Sequence, residues 1–589
     1  MDSEKRRMTP HIPPPARSGF DPRQPLIVQS DRSVLVEVDN PLYAEARNAL
    51  APFAELEKSP EHIHTYRITD ISLWNAAAAG LTAAHMLEVL NRYSKFPLPP
   101  NLAADLIERV SRYGRIRLEK DGEKLRLICA DHALLAELAR QPKIRQYLGA
   151  RLDDSTYEIE PKFRGVLKQA LMAVGYPAED LAGYVAGEHL PISLRSRTRS
   201  GQPFQVRDYQ RDAVDIFHAG GDVRGGSGVI VLPCGAGKTI VGLVAMARLQ
   251  RTTLVLTTGI TAVKQWRREL LDKTDLTEDQ IKEYTGETKE IGPVTLATYQ
   301  ILTYRPEKSD EFPHFQLFNE RDWGLIIYDE VHLLPAPVFR VTAQIQARRR
   351  LGLTATLVRE DGREGDVFSL IGPKKYDVPW RDLEQRGWIA EASCCEIRLG
   401  LPDDLRLEYA VAEWRRKFRL ASENPRKADV VAHLLHHYAN ARVLIIGQYL
   451  SQLKNLAARF RLPLITGSTP TEERERLYDE FRRGITRHLI LSKVGNFAVD
   501  LPDANVLIQV SGTFGSRQEE AQRLGRILRP KVSGETAHFY SLVTRDTREL
   551  DFAHHRQMFL TEQGYTYIIQ DADEMLHPWK NSPITEASA

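Results

Sequence analysis

The sequence predicts an α/β protein with two parallel-sheet lobes preceded by smaller α+β domains. From about residue 228 onward, short apolar β-rich runs alternate with amphipathic helical stretches, which is the pattern of parallel strands covered by helices. The runs fall into two groups, and the chain before residue 196 shows no such alternation. At 589 residues it also exceeds what one hydrophobic core can hold.

The first group is VIVL at 229–232, TLVLT at 253–257, VTLATY at 294–299, LIIYDE at 325–330 and LGLTAT at 351–356. The second is RVLIIG at 442–447, PLITG at 463–467, HLILSK at 488–493, NVLIQVS at 505–511 and AHFYSLV at 537–543. Upstream, LIVQSDRSVLVEV reads as one strand, Asn75 to Tyr93 as helix, and RIRLEKDGEKLRLI as a hairpin turning at Asp121-Gly122, because glycine tolerates the positive φ of a tight turn. Helices are expected near Ala130 to Arg140 and Lys162 to Val174. Gly, Ser and Arg crowd Leu194 to Gly201, a stretch that reads as an exposed linker. The expected division is 1–112 helical and mixed, 113–195 a second small domain, 196–385 the first lobe, 386–425 a linker, and 426–589 the second lobe with its tail. On this division a chain beginning near Ser196 holds the complete motor.

Lys and Arg total 80 against 78 Asp and Glu, so any nucleic-acid surface must come from local charge arrangement. The four cysteines, Cys129, Cys234, Cys394 and Cys395, form no CxxC pair, which excludes a zinc ribbon or a disulfide scaffold. The polar, proline-rich start lacks an apolar signal core, and no run of about 18 apolar residues occurs. These features predict a cytoplasmic protein without membrane attachment, nucleoid-associated if prokaryotic.

Chemistry concentrates first in VIVLPCGAGKT, a buried strand entering a loop of small residues, Pro233, Cys234, Gly235, Ala236 and Gly237, that ends in Lys238 and Thr239. Small residues let successive backbone N–H groups turn toward phosphate oxygens, and the following helix adds its positive end. Lys238 suits the β/γ-phosphates of ATP and Thr239 suits Mg²⁺. About ninety residues later, WGLIIYDEVH brings Asp329 and Glu330 to the carboxyl end of a strand, where parallel sheets bind ligands. Asp329 fits a Mg²⁺ ligand and Glu330 a base for water, with His332 in a coupling role. Paired carboxylates after a strand are commonly solvated loop residues, but a phosphate loop in the same sheet outweighs that reading.

In the second group, QEEAQRLGRILRP sets Arg526 and Arg529 three residues apart on a predicted helix, with Gln522 one turn earlier. Facing the first lobe, the arginines would stabilise charge at the γ-phosphate and Gln522 would orient the attacking water. Upstream, FQVRDYQRDAV offers Gln210 for an adenine edge and Arg207 for its face.

These motifs, with LGLTATLVRED, LIGPKKYDVPW and SKVGNFAVDLPDANVLIQVSG, resemble the XPB-type DNA repair helicases of superfamily 2 over roughly Phe204 to Lys531. Leu232 stands where the strict GxxxxGK pattern wants glycine, the form that superfamily 2 loops usually take. The resemblance implies RecA-like lobes, ATP-driven 3′–5′ movement on DNA, and duplex opening in nucleotide excision repair. It further implies roles in coupling and DNA opening for Thr354, Thr356, Arg359, Glu360 and Asp361, and backbone contacts to DNA from Thr258, Gln265, Trp266, Thr298, Ser468 and Thr469. Trp266 reads equally well as a core residue. The implied partners are single-stranded DNA, duplex and distorted junctions, and a separate nuclease, since the chain holds no nuclease constellation. The thumb-like insertion of such proteins would fall between Gly400 and Asn424, around the basic, aromatic EWRRKFR, and residues 113–190 stand where a damage-recognition domain belongs. Two other readings share these motifs: a DExH RNA helicase and an ATP-gated scaffold. The Arg-Glu-Asp triplet favours DNA over RNA, and the complete hydrolytic set disfavours a scaffold.

Overall fold

The computed structural model describes residues 19–58, 62–233, 235–307, 312–346, 348–355, 364–378, 380–492, 504–512, 536–562, 565 and 567–576. Cys234, Thr356, Arg359, Glu360, Asp361, Gln522, Arg526 and Arg529 lie outside these residues.

The first domain is an antiparallel sheet of β1 (Leu26–Val28), β2 (Ser33–Glu37), β3 (Glu55–Lys58) and β4 (Ile63–Arg67), ordered β1-β2-β4-β3. LIVQSDRSVLVEV is therefore two strands rather than one; the chain reverses between them, with Arg32 at φ 70°. The expected helix over Asn75 to Tyr93 is also split, into Asp70–Ala78 and Ala83–Tyr93, with Gly80 at φ 91° between them. A left-handed residue cannot continue a right-handed helix. Each piece starts on a threonine side chain: Thr69 accepts from Ser72 N and Thr82 from His85 N.

The second domain carries β5 (Ile116–Asp121), β6 (Lys124–Cys129), β7 (Thr156–Ile159) and β8 (Glu179–Leu181), ordered β7-β6-β5-β8. The hairpin forms as expected: Asp121 pairs with Lys124, and Gly122 takes φ 58°. Its helix Arg164–Ala173 lies directly on the first lobe. A Cβ added at Gly165 would stand 2.2 Å from the Ala343 carbonyl oxygen, and Lys168 Nζ donates both to Asp180 Oδ2 within its own domain (2.8 Å) and to Gln346 Oε1 in the lobe (2.9 Å). The Arg164 guanidinium completes the buried group, 2.7 Å from Asp180 Oδ1.

The first lobe is an all-parallel sheet of β9 (Ser227–Val231), β10 (Thr253–Thr257), β11 (Ile281–Tyr284), β12 (Val294–Thr298), β13 (Leu325–Asp329), β14 (Arg349–Thr354) and β15 (Lys374–Asp377), ordered β11-β12-β10-β13-β14-β9-β15. The second is all parallel as well: β16 (Ala392–Leu399), β17 (Val443–Ile446), β18 (Leu464–Ile465), β19 (His488–Leu491), β20 (Val506–Gln509), β21 (Ala537–Thr544) and β22 (Tyr567–Asp571), ordered β18-β19-β17-β20-β21-β16-β22. These are two RecA-like lobes. All ten strands foreseen in the alternating region are present, and four more join them: β11, β15, β16 and β22. β11, β15 and β22 lie at sheet edges, where charged residues such as those of KKYD and IKEY are tolerated and the apolar signal is weak.

β16 lies inside the second sheet, although it comes from the stretch expected as linker over 386–425. The rest of that stretch folds as the helices Asp403–Val411 and Trp414–Ser422, which fill the Gly400 to Asn424 interval. The expected boundary at Leu194 to Gly201 moves as well. Leu190 and Ile192 are buried in the core of the first lobe. Arg195 N donates to Lys273 O and Arg199 N to Asp272 O, while Ser193 N donates to Asp275 Oδ1. The segment is largely exposed, as expected, yet its backbone is bonded to the lobe, and contacts with the lobe reach back to the bridge between His189 and Arg251.

Candidate functional site: the end of the first sheet

β9 and β13 flank β14, so their carboxyl ends open side by side. After β9 the chain turns through Gly235 (φ 84°) and Gly237 (φ 82°), conformations that need glycine, into the helix Lys238–Leu249. A Cβ at Gly237 would also meet Gln210 Nε2 at 2.6 Å. Leu232, in place of the expected glycine, is fully buried, and its N–H bonds to Thr354 O. The position serves core packing and β14 pairing and needs no left-handed conformation.

Lys238 Nζ lies 3.2 Å from Glu330 Oε1, so the phosphate loop and the DEVH segment meet directly. Glu330 adopts φ 49°, ψ 54°, an uncommon conformation for a residue with a side chain, of the kind that collects at functional sites. Its Oε2 is buried without a hydrogen-bond partner and lies 3.5 Å from His332 Nδ1. His332 Nδ1 also pairs with Thr354 Oγ1 at 2.6 Å, joining the DEVH segment to the start of the TAT segment. Asp329 accepts from Trp266 Nε1 (2.9 Å) and from Glu330 N (3.1 Å), and its carbonyl accepts from Tyr299 OH (2.9 Å).

Burial and the neighbouring Glu330 charge push the Asp329 carboxyl up to about 6, with Trp266 and Lys238 opposing. Burial pushes Glu330 up too, but Lys238 and His332 outweigh it and hold that carboxyl below its ordinary value. A hard divalent cation takes oxygen ligands, and the Asp329 carboxylate with the Thr239 hydroxyl, which follows Lys238, is a donor set that fits Mg²⁺ with a nucleotide phosphate.

The side chains expected at the nucleotide and at DNA are placed as follows. Gln210 is buried with both ends of its amide engaged: Oε1 accepts from Arg207 N (3.1 Å) and Nε2 donates to Ala236 O (2.9 Å). It braces the phosphate loop together with Tyr209, whose hydroxyl donates to the same carbonyl at 2.6 Å. Arg207 lies over the ring of Trp388, 4.7 Å from its centroid, and donates to the Trp388 carbonyl. Tyr209, Tyr299 and Trp388 escaped the sequence reading, although Tyr209 stands beside Gln210 in the motif singled out. Of the residues expected to touch DNA, Ser468 is exposed and Thr258, Gln265 and Thr469 are half-buried. Trp266 is 1% exposed and Thr298 2% exposed. Trp266 faces Asp329, and Thr298 caps the short helix that follows β12 by accepting from Ile301 N, so neither side chain lies on an open face.

A phosphate loop joined to a half-buried carboxylate pair on one parallel-sheet lobe, with a second such lobe attached, defines a two-lobe ATPase of the helicase type. Family models agree on both lobes: one described as the ERCC3/RAD25/XPB C-terminal helicase covers 383–586, and one described as the type III restriction enzyme res subunit covers 203–359. A third, described as a helicase conserved C-terminal domain, covers 26–153, residues that here form the two small N-terminal sheets. The chain is 56% identical over 555 residues to the DNA 3′-5′ helicase XPB of Mycobacterium tuberculosis, covering 94% of this chain and 99% of that protein. It is 55% identical over 552 residues to the protein of the same name from Kineococcus radiotolerans (94% and 97% covered) and 35% identical over 547 residues to a putative DNA 3′-5′ helicase Rad25 of Halobacterium salinarum (92% and 86% covered). The chain belongs to the XPB family of ATP-dependent helicases.

Proposed function

We propose that the protein is an ATP-driven 3′–5′ DNA helicase and translocase of DNA repair. The observation that carries the reading is the Lys238–Glu330 contact of 3.2 Å, which assembles a hydrolytic centre from the phosphate loop and the DEVH segment. Lys238 neutralises the β/γ-phosphates, Glu330 takes the proton of the attacking water, and His332 passes the state of Glu330 to Thr354. Mg²⁺, held by Asp329 and Thr239, would supply charge neutralisation at the phosphates. By family resemblance Gln522, Arg526 and Arg529 complete the centre from the second lobe. On the same ground, Thr356, Arg359, Glu360 and Asp361 act at the DNA, and residues 113–190 sense distorted duplex. A separate nuclease would supply incision. Among the described residues no helix is long and apolar enough to cross a membrane.

A DExH RNA helicase would use the same centre, since such lobes mostly grip phosphate backbone. Phosphate release is expected to rise with single-stranded or duplex DNA and to respond weakly to RNA of the same length. Both belong at one fixed salt concentration, because backbone binding varies steeply with salt. Equal or stronger stimulation by RNA overturns the assignment to DNA.

A further inference from the structure

We propose that Trp266 is a positioning residue of the hydrolytic centre: its indole N–H fixes the Asp329 carboxylate in the orientation that receives the nucleotide's divalent cation. The inference deepens the ATPase reading and rests on it. Nε1 stands 2.9 Å from Asp329 Oδ2, while Oδ1 takes the Glu330 backbone N–H, so donors from two different elements pin the two carboxylate oxygens. Each oxygen keeps a further lone pair for a cation. An indole N–H donates and never accepts, so this partner suits a carboxylate that works in its ionised form.

The ring itself is fixed. Trp266 is 1% exposed, and a Cβ added at Gly242, on the helix that Lys238 opens, would stand 2.3 Å from its Cη2. The indole therefore lies flush on the phosphate-loop helix while reaching the carboxylate at the end of β13. It belongs to the helix Ile260–Lys273, which starts just after Thr258 and also carries Gln265. Any shift of that helix is transmitted to Asp329 through one hydrogen bond.

A matched control is present in the same lobe. Trp323 is fully buried, and its Nε1 donates to the Leu317 carbonyl at 2.9 Å, remote in bonding from the carboxylates. Trp266→Phe and Trp323→Phe each remove one indole N–H from the full chain. The readout is binding of a fluorescent ATP analogue, titrated with Mg²⁺ and repeated with the metal chelated. Loss of an outer partner of a metal ligand weakens metal binding by about 10-fold or more. Trp266→Phe is expected to raise the Mg²⁺ concentration at half-saturation by about that factor and to leave metal-free nucleotide affinity unchanged; Trp323→Phe is expected to move neither. Benzothienylalanine at position 266 keeps the two-ring outline without the N–H, and is expected to reproduce the shift with the packing intact. A midpoint for the position 266 variants no different from that of Trp323→Phe overturns the inference and leaves the ATPase reading standing. If the unaltered protein binds the analogue no better with Mg²⁺ than without, the ATPase reading falls and the inference with it.

Discussion

Glu330→Gln is expected to keep ATP bound and to slow phosphate release by about 10²-fold or more, the usual contribution of a general base. The amide matches the carboxylate in shape, so the left-handed turn at Glu330 and the approach to Lys238 can persist, but it cannot take a proton from water. Lys238→Ala is expected to fail earlier, at nucleotide binding. It removes the cation expected at the phosphates and leaves the half-buried Glu330 with His332, 3.5 Å away, as its remaining ion-pair partner. Nucleotide binding and phosphate release should be measured for both variants at one fixed pH, because the Asp329 carboxyl is raised by burial and by Glu330 and lowered by Lys238, so each variant changes one of its neighbours. Unchanged turnover in Glu330→Gln rejects the base; unchanged nucleotide affinity in Lys238→Ala rejects the phosphate role.

Cutting the chain at Ser196 is expected to unfold the first lobe or lower its melting temperature sharply, whereas a chain beginning at Ala182 keeps a cooperative transition and nucleotide binding. The shorter chain loses Leu190 and Ile192, 5% and 1% exposed, and the bridge between His189 and Arg251. Burying an aliphatic side chain contributes about 1.5–3 kcal/mol, so two of them amount to a large part of the roughly 5–15 kcal/mol that holds a domain together. Gly187 adds a geometric reason: at φ 77° its Cα packs so close to Gly324 that a Cβ would stand 2.2 Å from the Gly324 Cα. Thermal denaturation of the two truncated proteins compares them directly, and equal melting temperatures would show that residues 182–195 only rest on the lobe.

The two parallel sheets were legible because their inner strands are nearly uninterrupted Val, Ile and Leu runs, and the meeting of Lys238 with the DEVH segment because both follow strands of one sheet at its carboxyl end. Edge strands such as Lys374–Asp377 carry no such signal. β16 was lost because ASCCEIRL mixes polar with apolar residues and lies inside a region expected as linker; Glu396 within it is nevertheless fully buried. Composition was a fair guide to exposure at Leu194 to Gly201, where most residues are exposed, but it carries no signal for the backbone bonds that tie the segment to Asp272 and Lys273. Trp266 was ambiguous for a different reason: helical spacing cannot tell a ring that reaches nucleic acid from one that reaches a carboxylate. The structure adds the 2.9 Å contact to Asp329, which the sequence does not signal. The same holds for Gln210, whose amide fits an adenine edge or the Ala236 carbonyl equally well on paper.

The central claim, that this hydrolytic centre drives directional movement on DNA, is tested most directly by strand displacement on two duplexes that differ only in carrying a 3′ or a 5′ single-stranded tail. The protein is predicted to open the 3′-tailed duplex, only with ATP and Mg²⁺ present, and to lose that activity in Glu330→Gln. Opening of the 5′-tailed duplex instead, or opening of either without ATP, would contradict it.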